Sequence, residues 1–167
     1  MKVACIGVLT VLVIIQMTSA EQIPEKFFGR FVLEKSENFD EFLSAKGVGW
    51  ILRKMIQLAS VTKVISKGTS EGSYNMENLT SKKNTKYQDW ELGKTFEAEG
   101  FDGNKHKITF DFKNDTLTEH HVRLNEDGKG NEAETYYFTI DENDKLVLKM
   151  ENNSIVCRRW FKRDKKN

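Results

Sequence analysis

Beyond Ser60, apolar residues recur at every second position of the chain, in runs of roughly six to ten residues. The clearest run sets Ile108, Phe110 and Phe112 against Lys107, Thr109 and Asp111, the mark of a strand buried on one face. Nine such runs begin near Val61, Ser73, Thr85, Thr95, Lys105, Thr116, Glu132, Lys145 and Ile155. Turn chemistry separates them: GTSEG, KKN, LG, FDGN, KND, NEDGKGN, DEND and ENN. A further strand is expected over residues 27–36, where Phe27, Phe31 and Leu33 sit among β-formers with no helical stripe.

Between the first strand and the rest, the period becomes helical. Asn38 followed by Glu41 has the spacing of a capping box, and Asp40 and Glu41 suit the positive end of a helix dipole. Phe39, Phe42 and Leu43 form one apolar face, and Lys46-Gly47 closes the helix. A second short helix opens around Gly49. Val48, Ile51, Leu52, Met55 and Ala59 are expected on its buried face, with Arg53 and Lys54 toward solvent. The order predicts an all-β fold, a ten-stranded up-and-down β-barrel with a helix-turn-helix lid between its first and second strands. Ten strands make a barrel wider than eight, so its side chains need not fill it, and an internal cavity is expected.

Residues 1–20 stand apart. Lys2, a nearly unbroken apolar stretch from Val3 to Met17, and Thr18-Ser19-Ala20 make the three-part pattern of a secretory signal peptide, cleaved after Ala20. The expected organisation is a leader over 1–20 and one barrel domain over 21–167, a protein of extracellular fluid. The formal charge of +1 gives no reason to expect nucleic acid as a partner. Removing the leader takes Cys5 with it, so Cys157 has no disulfide partner. Glycosylation triplets begin at Asn78, Asn114 and Asn152.

Several chemical motifs weaken in context. Gly68-Thr69-Ser70-Glu71-Gly72 fits a nucleophile-elbow pattern, but it joins two strands instead of a strand and a helix. His120 and His121 point to opposite faces of a strand, so no metal site is expected from them. The basic C-terminus from Arg158 to Lys166 reads as a solvated strand end and tail.

The stretch Gly29 to Leu33 followed by Ser36-Glu37-Asn38-Phe39-Asp40-Glu41-Phe42-Leu43 resembles the signature of the fatty-acid-binding protein family. The resemblance continues through Gly47-Val48-Gly49-Trp50, Arg53-Lys54, Lys83-Asn84-Thr85, Leu92-Gly93, Phe96 and Lys145-Leu146-Val147-Leu148, covering residues 26–163. The leader, the longer loops and Asp89-Trp90-Glu91-Leu92-Gly93 make the chain similar to the secreted nematode-type branch.

The resemblance implies a carrier, not an enzyme, with no cofactor and no catalytic residue. It would be a monomer that holds a long-chain fatty acid or related hydrophobic ligand in the cavity; Arg53, Lys54 and Lys82 near the portal read either as a surface for transient membrane contact or as a solvated helix face. It implies transport or sequestration of fatty acids and their oxidation products. The ligand carboxylate is expected at an Arg-x-Tyr pair on the last strand, helped by a second internal arginine. Here Val156 to Phe161 places Arg159 as the carboxylate arginine, with Cys157 and Phe161 also inward; Phe161 stands where the family has tyrosine. Thr139 falls near the expected second arginine. Glu119, His121 or Arg123 are candidate substitutes. Phe39 and Met55 are expected to line the cavity, and Leu52, Lys54, Lys82 and Phe101 to surround the portal. The alternatives are a retinoid or neutral-lipid carrier and a lipid-modifying enzyme.

Overall fold

The computed structural model describes residues 22–125, 128, 130–152 and 154–165. The proposed leader lies outside them. A 3-10 turn at Glu25–Phe27 precedes β1 (Gly29–Glu37), α1 (Phe39–Ala45) and α2 (Trp50–Gln57). Then follow β2 (Val61–Lys67), β3 (Ser73–Thr80), β4 (Thr85–Glu91), β5 (Thr95–Glu99) and β6 (Lys105–Lys113). The chain ends with β7 (Thr116–Leu124), β8 (Gly130–Ile140), β9 (Lys145–Asn152) and β10 (Ile155–Arg163).

The strands form one antiparallel sheet in the order β4-β3-β2-β1-β10-β9-β8-β7-β6-β5. Each strand pairs with a sequence neighbour, except that β1 pairs with β10 and β4 does not hydrogen-bond to β5. The result is a nearly closed barrel with two helices between the first two strands. At the β4–β5 seam, aromatic contacts stand where hydrogen bonds would be. Tyr87 lies 5.8 Å from Phe96, and Trp90 stacks on Phe110 at 3.9 Å.

Alternation sorts the strands cleanly. On β6 His106, Ile108, Phe110 and Phe112 are buried, and on β9 Leu146, Leu148 and Met150. At the end away from the helices, the 3-10 turn plugs the barrel: Phe27, fully buried, meets Phe112 edge-on at 5.4 Å. Tyr74 joins this layer between Phe28 and Trp90. Each such aromatic contributes about 1.5–3 kcal/mol by burial. The Arg163 guanidinium fastens the plug, donating to the carbonyls of Phe28 and Lys26 and to Asp144.

The lid departs from the sequence pattern twice. Asn38 adopts a left-handed conformation (φ 56°) and makes no side-chain cap; its Nδ2 instead donates to the Val156 carbonyl, tying the lid to β10. The capping box therefore does not form. α1 buries Phe42 and Leu43 as expected. α2 buries none of its residues, and Ile51, Leu52 and Met55 face solvent. The flank turned inward carries Arg53, whose Nε donates to Asp40 of α1 at 3.1 Å and whose Nη1 donates to the Val48 carbonyl. With one bond drawing Arg53 onto α1 and one onto the turn between the helices, the apolar stripe of α2 is left outside.

Candidate functional site

On β10, alternation buries Cys157, Arg159 and Phe161 and leaves Arg158 exposed. Register carries the same row across the sheet: Arg159 sits opposite Leu148, Leu148 opposite Phe138, and Phe138 opposite Leu117. Arg159 is only 8% exposed. Its Nε donates to Ser36 Oγ at 3.1 Å, and its guanidinium carbon lies 4.1 Å from the Phe39 ring centroid. Among the described residues no carboxylate pairs with it. Burial lowers its pKa to about 10, partly offset by Cys157. A charge held this way costs several kcal/mol unless an anion arrives to meet it.

A second cation lies inside. Lys63, on β2, is 6% exposed and donates to Asn78 Oδ1 at 2.5 Å; Asn78 in turn donates to Thr85 Oγ1. The Lys63 ammonium lies 5.1 Å from the Phe138 ring centroid and 5.9 Å from that of Phe161. Burial brings its pKa down to about 8; Glu119 opposes that and Arg159 reinforces it.

Facing these residues, Glu119 and His121 are both buried and share a 2.7 Å hydrogen bond. Burial opposes ionisation of Glu119, but His121 and Lys63 outweigh it and hold the carboxyl below its ordinary range. Tyr136 donates to Glu134, which pairs with Lys46 at the end of α1. His106 Nδ1 is buried without a partner. This polar lining at the lid end is unlike a solid hydrocarbon core, in which buried polar groups are few and satisfied.

A cleft of about 440 Å³ opens beside Arg159, between β1 and the lid, lined among others by Ser36, Asn38, Phe39 and Gln57. Its volume lies within the usual range of small-molecule sites. Glu34 marks a register shift in β1 at this point, between Leu33 and Lys35.

The structure brings Arg159, Phe161, Cys157 and Phe39 together and separates others from them. Thr139 pairs with Val147, and Val147 with Trp160, so it belongs to the outer row; Phe138 holds the inner position. The assignment of Thr139 to the pocket is corrected: a one-residue offset in register reverses the face of a strand. Met55 is 48% exposed and Leu52 52%, so Met55 is surface, not lining, for the reason given for α2. Lys54 is exposed and within 3.6 Å of Asp40. Lys82 and Phe101 lie exposed in lid-end loops, between β3 and β4 and between β5 and β6, and do not line the cleft. Asn78 is 1% exposed and bonded within the barrel, which removes it as a glycan site in the folded protein. Sequence reading missed Lys63, although its two-residue spacing from Val61 and Ile65 puts it on the same face as the buried Ile65.

No family model matches the chain. Known proteins do. The chain is 67% identical over 141 residues to fatty acid-binding protein homolog 4 of Caenorhabditis elegans, covering 84% of this chain and 96% of the relative. It is 44% identical over 159 residues to a fatty acid-binding protein homolog of Ascaris suum, covering 93% and 95%. Among solved structures, As-p18, described as an extracellular fatty acid binding protein, superposes with a TM-score of 0.81 at 43% identity, over 86% of this chain and all of that one. Sequence identity, strand order and lid placement agree, and the chain belongs to the fatty-acid-binding protein family.

Proposed function

We propose that this protein is a secreted carrier that holds a long-chain fatty acid non-covalently inside the barrel, with its carboxylate at Arg159. It is a binding protein and not an enzyme, as its relatives are. The observation that carries the headgroup assignment is a guanidinium on the inner face, 8% exposed, with no carboxylate partner among the described residues. The tail supplies most of the affinity: about 14 buried methylenes at ~0.8 kcal/mol give ~11 kcal/mol gross. A charged hydrogen bond adds only ~1.5–3 kcal/mol. Arg159 therefore sets orientation and the preference for an acid. Phe161 brings no hydroxyl to the site, so fewer donors hold the headgroup than the family pattern supplies.

Calorimetric titration of delipidated protein with oleate and with oleyl alcohol tests this. Wild type binds oleate more tightly. Arg159→Met weakens oleate and leaves the alcohol unchanged, so the preference collapses. Equal oleate affinity in the variant would remove Arg159 from the site, and tighter alcohol binding in wild type would favour a neutral-lipid carrier.

Secretion is supported by the pattern of residues 1–20 and by a solved relative described as extracellular. Expression of the full chain in a secretory cell should yield a medium-borne protein beginning at Glu21; retention inside the cell refutes it. The exposed Trp50, Ile51 and Leu58 of the α2 region, beside Lys54, suit transient contact with a membrane surface.

A further inference from the structure

We propose that Lys63 is a second carboxylate-binding residue, so that the lipid headgroup lies in a cradle of two cations supplied by β2 and β10. This rests on the fatty-acid reading above. β2 is separated from β10 only by β1. The Lys63 ammonium and the Arg159 guanidinium lie 5.9 and 5.7 Å from the centroid of the same ring, that of Phe161. The position that resembles a tyrosine site thus has no hydroxyl, and both cations lie near its ring.

The charges nearby do not cancel. Lys63 bonds Asn78 on β3, lies near the rings of Phe138 on β8 and Phe161 on β10, and feels the charges of Glu119 on β7 and Arg159 on β10. Glu119 is the one acidic group in that set, and it already bonds His121. Glu134 is occupied by Lys46 and Tyr136. Lys63, Arg159 and Glu119 together carry one positive charge in excess, which a lipid monoanion neutralises and an alcohol does not.

Binding should then be coupled to a proton. In the empty barrel Lys63 begins to lose its proton near pH 8, chiefly through burial, with Glu119 opposing the loss and Arg159 favouring it. A carboxylate beside it favours the charged form and raises that pKa. Between about pH 8 and 10 binding takes up a proton, and affinity falls as pH rises through this window.

The test is titration of delipidated protein with oleate at pH 8.5, in two buffers with different heats of ionisation. Wild type is expected to take up a sizeable fraction of a proton. Lys63→Met should take up none and bind oleate about tenfold more weakly at pH 7, with oleyl alcohol unaffected. Unchanged oleate affinity and proton uptake in Lys63→Met would overturn the proposal while leaving the carrier reading intact. Failure of wild type to bind oleate at all would sink the carrier reading itself. Should the variant not fold, NMR titration of the Lys63 ammonium in wild type decides: its pKa must rise when oleate is added, and an unmoved titration refutes the cradle.

Discussion

The two ends of the barrel are built from the same alternating strands and do opposite things. At the closed end, inward positions are Phe27, Tyr74, Trp90, Phe112 and Leu117, all buried, with ring contacts pairing Phe27 with Phe112 and Tyr74 with Trp90. At the lid end, the inward positions of neighbouring strands are Lys63, Asn78, Glu119, His121 and Arg159. Alternation decides only which residues turn inward; their chemistry decides whether the space is filled or left available. One end stabilises the fold, and the other uses part of that stability to keep charges out of water. The largest effect should follow from opening the closed end. Phe27→Ala removes a fully buried ring beside Phe112 and should cost about 3–5 kcal/mol in urea unfolding. Oleate affinity of the folded variant should stay within about threefold. A larger loss of affinity would mean that the two ends are not separable.

The lid end gives the opposite sign. The Lys63 pKa falls from 10.5 to about 8 on folding, so between those values the unfolded chain binds more protons and stability rises with pH. Below pH 8 the full penalty applies, about 3 kcal/mol at ~1.4 kcal/mol per pKa unit. Cys157 opposes this from pH 9 upward: burial raises its thiol to about 11, so its contribution falls with pH. The net rise is confined to about pH 8–9. In ligand-free protein, Lys63→Met should be the more stable chain at pH 7, by up to about 3 kcal/mol, and should lack that rise. A variant less stable than wild type would show that Lys63 is satisfied by Asn78 and Glu119 and carries no penalty.

The fold was legible because strands meet their sequence neighbours, so period and turn chemistry suffice to place them. Where three-dimensional pairing decides the outcome, the sequence was less informative. Thr139 fell on the outer face because counting toward a motif does not fix register to one residue. Lys63 was overlooked because lysine ordinarily marks a solvent face, although its two-residue spacing puts it on the same face as the buried Ile65. Arg53 reversed α2 through a bond to Asp40, thirteen residues earlier, which no helical wheel of α2 alone contains. Arg159 was readable, since a specific motif and strict alternation coincide there.

A smaller effect should come from the bond between lid and barrel. Glu134 pairs with Lys46 of the α1 terminus and accepts from Tyr136; the Lys46 and Tyr136 contacts outweigh burial and hold its carboxyl below the ordinary range. Glu134→Gln keeps the shape but removes the charge, and should cost about 1–2 kcal/mol. It should also speed oleate dissociation in stopped-flow displacement. Unchanged dissociation would mean that this bond does not restrain the lid.

The smallest expected effect lies on α2. Leu58 is 87% exposed, Trp50 67% and Ile51 61%, and Met55 is 48% exposed, so substitution there removes little buried area. Met55→Ala and Leu58→Ser should each change stability by less than about 0.5 kcal/mol. If α2 meets membranes, Leu58→Ser should slow fatty-acid transfer to vesicles without changing equilibrium affinity, because exposed apolar area adds to interfacial binding. A loss above about 2 kcal/mol in Met55→Ala would match removal of a packed side chain. That result would turn α2 over in solution, restore Met55 to the pocket lining and extend the apolar packing to the lid. The contrast between a filled end and an available one would then rest on Lys63 and Arg159 alone.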